Sequence, residues 1–214
     1  MTLPDELQRI FDADRTMREA ESRLLRRRGP GELGNLLSEA TQEALKLEDR
    51  DEATMRLERL ADLCAQVPGP TMVDALMAIL NDSEPRVRVA AGEALRDVGF
   101  ERYAEVARGI ERALDASMRG PAMSELPWVL AEIGEPSALP LIRRFLVHKD
   151  PDVTAAAIES LAQLGDPDAE GDLRGFTEDT RIVILEDLDN EERTTIGDLA
   201  RDALEMLGLD AARD

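Results

Sequence analysis

A chain with one cysteine and one histidine has little from which to assemble a nucleophilic centre. Cys64 shares an apolar stripe with Leu57, Leu60 and Ala61, the setting of a buried structural thiol rather than of a reactive thiolate. His148 stands in the run His148-Lys149-Asp150-Pro151, at the expected C-terminal end of a helix, where a cation is favoured. Acyl or group transfer needs a nucleophile, a base and a group to orient them, and these two residues do not supply that set. Among the carboxylates, the closest approach to an ion site is the run Asp187, Asp189, Glu191 and Glu192. A calcium loop requires glycine where Glu192 stands, so a solvated acidic turn is the reading. No glycine-rich phosphate loop occurs. The expectation is no catalytic residue, no metal ligand and no cofactor.

The charge balance then narrows the partners. The 46 acidic side chains against 26 basic ones give a net charge of -20, a field that repels nucleic-acid phosphates and anionic lipid and attracts basic protein surfaces. The local exception, Arg26, Arg27 and Arg28, reads either as a basic patch or as the solvated end of a helix. No run approaches the roughly 18 apolar residues of a membrane span. One cysteine permits no internal disulfide, which fits a reducing cytoplasm. Only Lys46 and Lys149 are lysines, an arginine bias that fits a genome rich in G and C.

The elements that must position any site come from an internal repeat. Pro85–Gly99 laid over Pro151–Gly165 matches at seven of fifteen positions, with an offset of 66, or two units of about 33. Degenerate copies run from Gly120 to Gly134 and from Thr194 to Gly208. In the first copy Val87, Ala90, Ala91, Ala94, Leu95 and Val98 make a single helical stripe, and the glycine closing each copy is expected to take the left-handed position that ends a helix. Asp82, Ser83 and Asp150 stand ready to cap, with proline in the first turn. Each such helix follows a shorter one, starting near Pro70, Glu101 and Pro136, and residues 32–67 read as one more pair. With 43% hydrophobic and only 3% aromatic residues, the core must be aliphatic helix against aliphatic helix.

These stretches, DSEPRVRVAAGEALRDVG and KDPDVTAAAIESLAQLGDPDA, resemble the bacterial HEAT-repeat family, including its short variant named after phycobilisome lyases. The resemblance covers about residues 70–208. It implies an all-α, right-handed solenoid of four to five HEAT-like hairpins, and members that mostly scaffold or bind proteins, with some binding DNA or acting on protein substrates. The iron-binding hydroxylases of similar fold use His-Glu pairs, which one histidine cannot repeat. Residues 1–31 are expected to form an amphipathic capping helix and linker, and residues 32–214 the array. An insertion at about 175–195 breaks the period; with Ile182, Ile184 and Leu188 alternating before Asp189-Asn190-Glu191-Glu192, it reads as a short β-hairpin or as a disordered acidic loop.

The exposed row of the second helices, which line the concave side of such solenoids, offers the partner site. Equivalent positions are Glu93, Trp128, Glu159 and Asp202, an acidic row with the single tryptophan as its anchor. Arg88 and Arg96 enter the same surface, and Met123 completes the set of expected contacts. The competing reading has Pro127 shifting the start of that helix, Ser124 capping it and Trp128 filling space between units. The expected function is a non-catalytic cytoplasmic adaptor for a basic or amphipathic protein segment, binding neither nucleic acid nor membrane. An immunity or inhibitor protein for a basic toxin, and a subunit of a lyase-like complex, are the alternatives.

Overall fold

A computed structural model describes residues 3–27, 29–187 and 190–209. The helices are α1 (Leu3–Arg27), α2 (Pro30–Ala44), α3 (Arg50–Ala65), α4 (Pro70–Leu80), α5 (Pro85–Asp115), α6 (Ala122–Ile133), α7 (Ala138–Leu146), α8 (Pro151–Leu164), α9 (Glu170–Arg174) and α10 (Ile196–Met206). Strands β1 (Ile182–Asp187) and β2 (Asn190–Thr195) form an antiparallel hairpin ahead of α10. Side-chain caps fix three helix starts: Asp49 accepts from the amides of Asp51 and Glu52, Asp150 from that of Asp152, and Thr195 and Asp198 close a reciprocal capping box. At α5 the N-cap is Glu84, without a side-chain bond, so neither Asp82 nor Ser83 caps it.

Two layers result. The second helices α3, the first half of α5, α6, α8 and α10 pack each on the next. The first helices α2, α4, the second half of α5, α7 and α9 form the other layer. Their common core is the repeated stripe: Leu95, Leu130, Leu161 and Leu204 hold the same helical position in four successive units, and each is 0% exposed. Two turns earlier Val87, Ala122, Val153 and Ile196 are buried as well. The chain is thus an all-α solenoid of helical pairs.

Gly134, Gly165 and Gly208 end their helices in the left-handed region, with φ of 68°, 71° and 70°. Gly99 does not. The helix runs through it and bends three residues later at Arg102, where φ is -140° and ψ 50°, so the second and third units share one bent helix. Gly99 is required for proximity instead: a Cβ there would lie 2.2 Å from Ile133 Cδ1 of α6. A second close approach brings the second half of α5 onto α4, where a Cβ on Gly109 would meet Val73 Cγ1 at 2.4 Å. Helix α6 begins at Ala122, so Pro127 lies inside it and Ser124 does not cap it.

The insertion is an ordered hairpin at its base. Arg181 donates to both carboxylate oxygens of Asp179, from Nε to Oδ1 at 3.1 Å and from Nη2 to Oδ2 at 2.7 Å, and the amides of Ile196 and Gly197 donate to the carbonyls of Arg181 and Asp179. Val183 is buried at 2%, while Ile182 and Ile184 are 58% and 49% exposed. Leu188 and Asp189, part of the expected hairpin, lie outside the described residues.

Helix α1 leans on the array through its C-terminal part, with Leu24 and Leu25 against the core and Glu21 3.3 Å from Arg59. Its earlier turns leave Leu7, Ile10 and Phe11 exposed.

The Gly109 approach has a diagnostic sign. In an open helix Gly→Ala stabilises by about 0.5–1 kcal/mol. Here Val73 is buried and β-branched, with one strongly preferred χ1 rotamer in a helix, so Gly109→Ala is expected to destabilise by about 1–3 kcal/mol in thermal or urea unfolding. Combining it with Val73→Ala should recover part of that loss, giving a non-additive pair.

Candidate functional site

The second-helix layer presents one position per unit to solvent. Counting back six residues from Gly99, Gly134, Gly165 and Gly208 gives Glu93, Trp128, Glu159 and Asp202. The structure adds a fifth member, Arg59, six residues before the end of α3 at Ala65. Because α3, α5, α6, α8 and α10 are neighbours in this order, the five positions form one row, with helix axes about 8–10 Å apart.

Its two halves differ electrostatically. In the first half the cations are committed. Arg59 is tied to Glu21 and Asp62 at 3.3 Å each, and Arg86 reaches Glu58 at 3.3 Å. Arg88 donates to Glu125 at 3.3 Å and to the carbonyls of Asp82 and Ser83 at 3.3 and 2.9 Å. Arg96 pairs with Glu132 on α6 and lies 3.8 Å from Glu93. Arg88 and Arg96 are therefore struts between α5 and α6, with their charge already used.

In the second half, from α6 to α10, the row holds Trp128, Glu159 and Asp202. Trp128 is half-buried and Asp202 exposed. Glu159 is also half-buried, and burial alone pushes its carboxyl above the ordinary range, with no cation opposing the shift. Desolvation of a carboxylate without a counter-charge is unfavourable for the free protein. Met123 does not belong to this surface. It is 1% exposed and part of the core, because at the second position of α6 it points between the layers.

The sequence pattern alone did not reveal two further features. Met55 and Val89, ten residues before Ala65 and Gly99, are 54% and 60% exposed, and Phe100 further along the same α5 face is 64% exposed. The same count back from the closing residue would have found Met55 and Val89. The isolation of Glu159, by contrast, depends on which arginines are consumed elsewhere.

Residues 124–186 match the family model for HEAT repeats. The matched stretch includes Trp128 and Glu159, so the row lies partly on HEAT-like repeat structure. No curated protein matches the chain.

The other candidates for chemistry are placed as follows. Cys64 is 0% exposed beside Thr41, and burial raises its thiol to about 11. His148 follows α7 and accepts the Asp150 amide on Nδ1 at 3.2 Å. Among the described residues, no three His, Cys, Asp or Glu side chains gather to hold a metal ion.

Two outcomes follow from these environments. Native Cys64 should not react with a thiol reagent at pH 8 on the timescale of an exposed cysteine, and should react fully once urea unfolds the chain. Glu159→Gln should raise stability at neutral pH. A carboxyl whose pKa is raised by folding costs stability once both states are ionised, and costs nothing below the unfolded value, where both are protonated. Urea midpoints at pH 7 and pH 3.5 should therefore show a gain at the first and none at the second.

Proposed function

We propose that the chain is a non-catalytic scaffold that holds a basic or amphipathic protein segment across α6, α8 and α10, on the side we assign as concave. The observation that supports it most is Glu159, a desolvated carboxylate with no cation of its own among the described residues, placed between the tryptophan row position on α6 and Asp202 on α10. An arginine or lysine from a partner would supply the missing charge, and Trp128 a large apolar surface beside it. The exposed Met55, Val89 and Phe100 extend the same layer toward the N-terminal end as apolar ground for an amphipathic partner. HEAT-like repeats commonly serve as such scaffolds, since stacking short hairpins produces an extended surface from many equivalent positions.

In this reading α1 caps the array's first unit through Leu24, Leu25 and the Glu21–Arg59 pair. The partner carries a basic surface, and the net charge of -20 steers it in and repels nucleic acid. A buried, lone cysteine suits a reducing, cytoplasmic setting.

The single tryptophan makes a direct test available. Binding of an arginine-rich amphipathic helical peptide should change Trp128 emission saturably, and a glutamate-rich peptide of the same apolar pattern should not. Glu159→Arg should weaken the interaction by at least about tenfold, the loss expected when one member of a desolvated charge pair is reversed, while helical circular dichroism stays unchanged. Affinity should also rise as pH climbs through the raised Glu159 titration, because the cation binds the ionised form. Equal affinity of Glu159→Arg and wild type would remove the row as the site.

A further inference from the structure

A second region of the molecule inverts its charge pattern. Two successive hairpin loops, residues 116–121 between α5 and α6 and residues 147–150 between α7 and α8, face each other across a cleft of about 540 Å3. The inner wall is apolar, formed by Leu114, Met118, Met123 and Val153. The mouth carries Arg119, His148, Lys149 and Asp150. In a chain with 46 acidic against 26 basic side chains, most arginines end on a carboxylate, as Arg86, Arg88, Arg96, Arg112, Arg143 and Arg144 do. Arg119 and Lys149 have no such partner among the described residues. One of only two lysines, the only histidine and an unpaired arginine thus share one opening.

The loop that carries Arg119 is held in place before anything binds. Asn81, from the end of α4 in the preceding unit, donates through Nδ2 to the Arg119 carbonyl at 3.0 Å and accepts the Ala122 amide on Oδ1 at 3.1 Å. Gly120, at φ 109°, has no room for a Cβ, which would lie 2.4 Å from Asn81 Oδ1. Ser117 takes φ 53°, a left-handed conformation that a side-chain-bearing residue adopts only when its surroundings impose it. On the facing loop the Asp150 carboxylate is used by the Asp152 amide at 3.1 Å. The Asp150 amide occupies His148 Nδ1, which leaves Nε2 of the neutral ring as a donor.

We propose that this cleft binds a small organic monoanion, a carboxylate on an apolar body. The carboxylate bridges Arg119 and Lys149 with His148 Nε2 as a further donor, and the hydrocarbon lies on Leu114, Met118 and Val147. The charge count selects a monoanion: two cations against Asp150 leave one net positive charge, which a carboxylate neutralises and a phosphate dianion exceeds. The wall selects an apolar body, since a polar solute would leave the half-buried Leu114 and Met118 and the exposed Val147 facing water. The site shares no residue with the Trp128–Glu159–Asp202 row, so either can fail alone.

The two lysines give the test an internal control. Reductive 13C-methylation labels Lys46 and Lys149 while keeping their charge, and sodium octanoate is titrated at constant ionic strength. The expected result is a saturable shift of the Lys149 methyl and His148 ring resonances with one common Kd, no shift at Lys46, and affinity lowered about tenfold or more in Arg119→Gln. An unchanged amide spectrum away from the cleft should show that this variant remains folded. Equal, unsaturable shifts at Lys46 and Lys149, wild-type affinity in Arg119→Gln, or octanol binding as tightly as octanoate would each overturn the proposal. So would inorganic phosphate alone reproducing the shifts at the same concentration.

Discussion

Every feature of this protein depends on the register in which one helical pair stacks on the next. A pair of helices 9 to 16 residues long cannot bury its apolar stripe alone. The stripe is buried only when the next unit repeats the same positions, as Leu95, Leu130, Leu161 and Leu204 do. Where aliphatic packing is this close, backbone proximity becomes the limiting quantity. Glycine therefore appears inside α5 at residues 99 and 109, where any side chain would collide with Ile133 or Val73.

The stacking register also decides which charges stay free. Units offset by 36 or 37 residues place Arg88 beside Glu125 and Arg96 beside Glu132, so the scarcer charge is consumed at the α5–α6 junction. No arginine stands at the equivalent positions of α8, where Asp152, Thr154 and Ala162 take the places of Arg86, Arg88 and Arg96. Among the described residues no cation pairs with Glu159, which is left desolvated. The surplus of acid thus becomes local at α8 and α10. The same logic makes an unpaired cation at a hairpin loop equally unusual.

Much of the fold could be read from the sequence because its signal is periodic. The closing glycines, the Pro85 and Pro151 starts and the aliphatic stripe locate the second helices to within a residue or two. The misreading at Gly99 has a physical cause: glycine is compatible both with a left-handed helix end and with a close crossing, and only the neighbouring Ile133 distinguishes the two. The row Glu93, Trp128, Glu159 and Asp202 was legible for the same periodic reason. Met123 was not, since one position along a helix moves a side chain by 100° from surface to core. The pairing of Arg88 and Arg96 was hidden as well, because it depends on residues 36 to 37 positions away.

The last unit shows how far the pattern can bend before it fails. Its first helix, α9, has only five residues, too few to cover α8 and α10. The hairpin fills the place by turning Val183 inward against the core and leaving Ile182 and Ile184 outside. A strand exposes alternate residues to opposite faces, so one buried valine obliges its two isoleucine neighbours to face solvent. Anchorage then falls to polar groups. Arg181 grips Asp179 and reaches the His148 carbonyl at 3.4 Å, and Gly197 lets α10 approach the Thr177 carbonyl to where a Cβ would stand 2.6 Å away. The hairpin is therefore fixed at its base by α8, α10 and the α7–α8 loop, and its outer apolar face follows from strand geometry once Val183 has taken the core position.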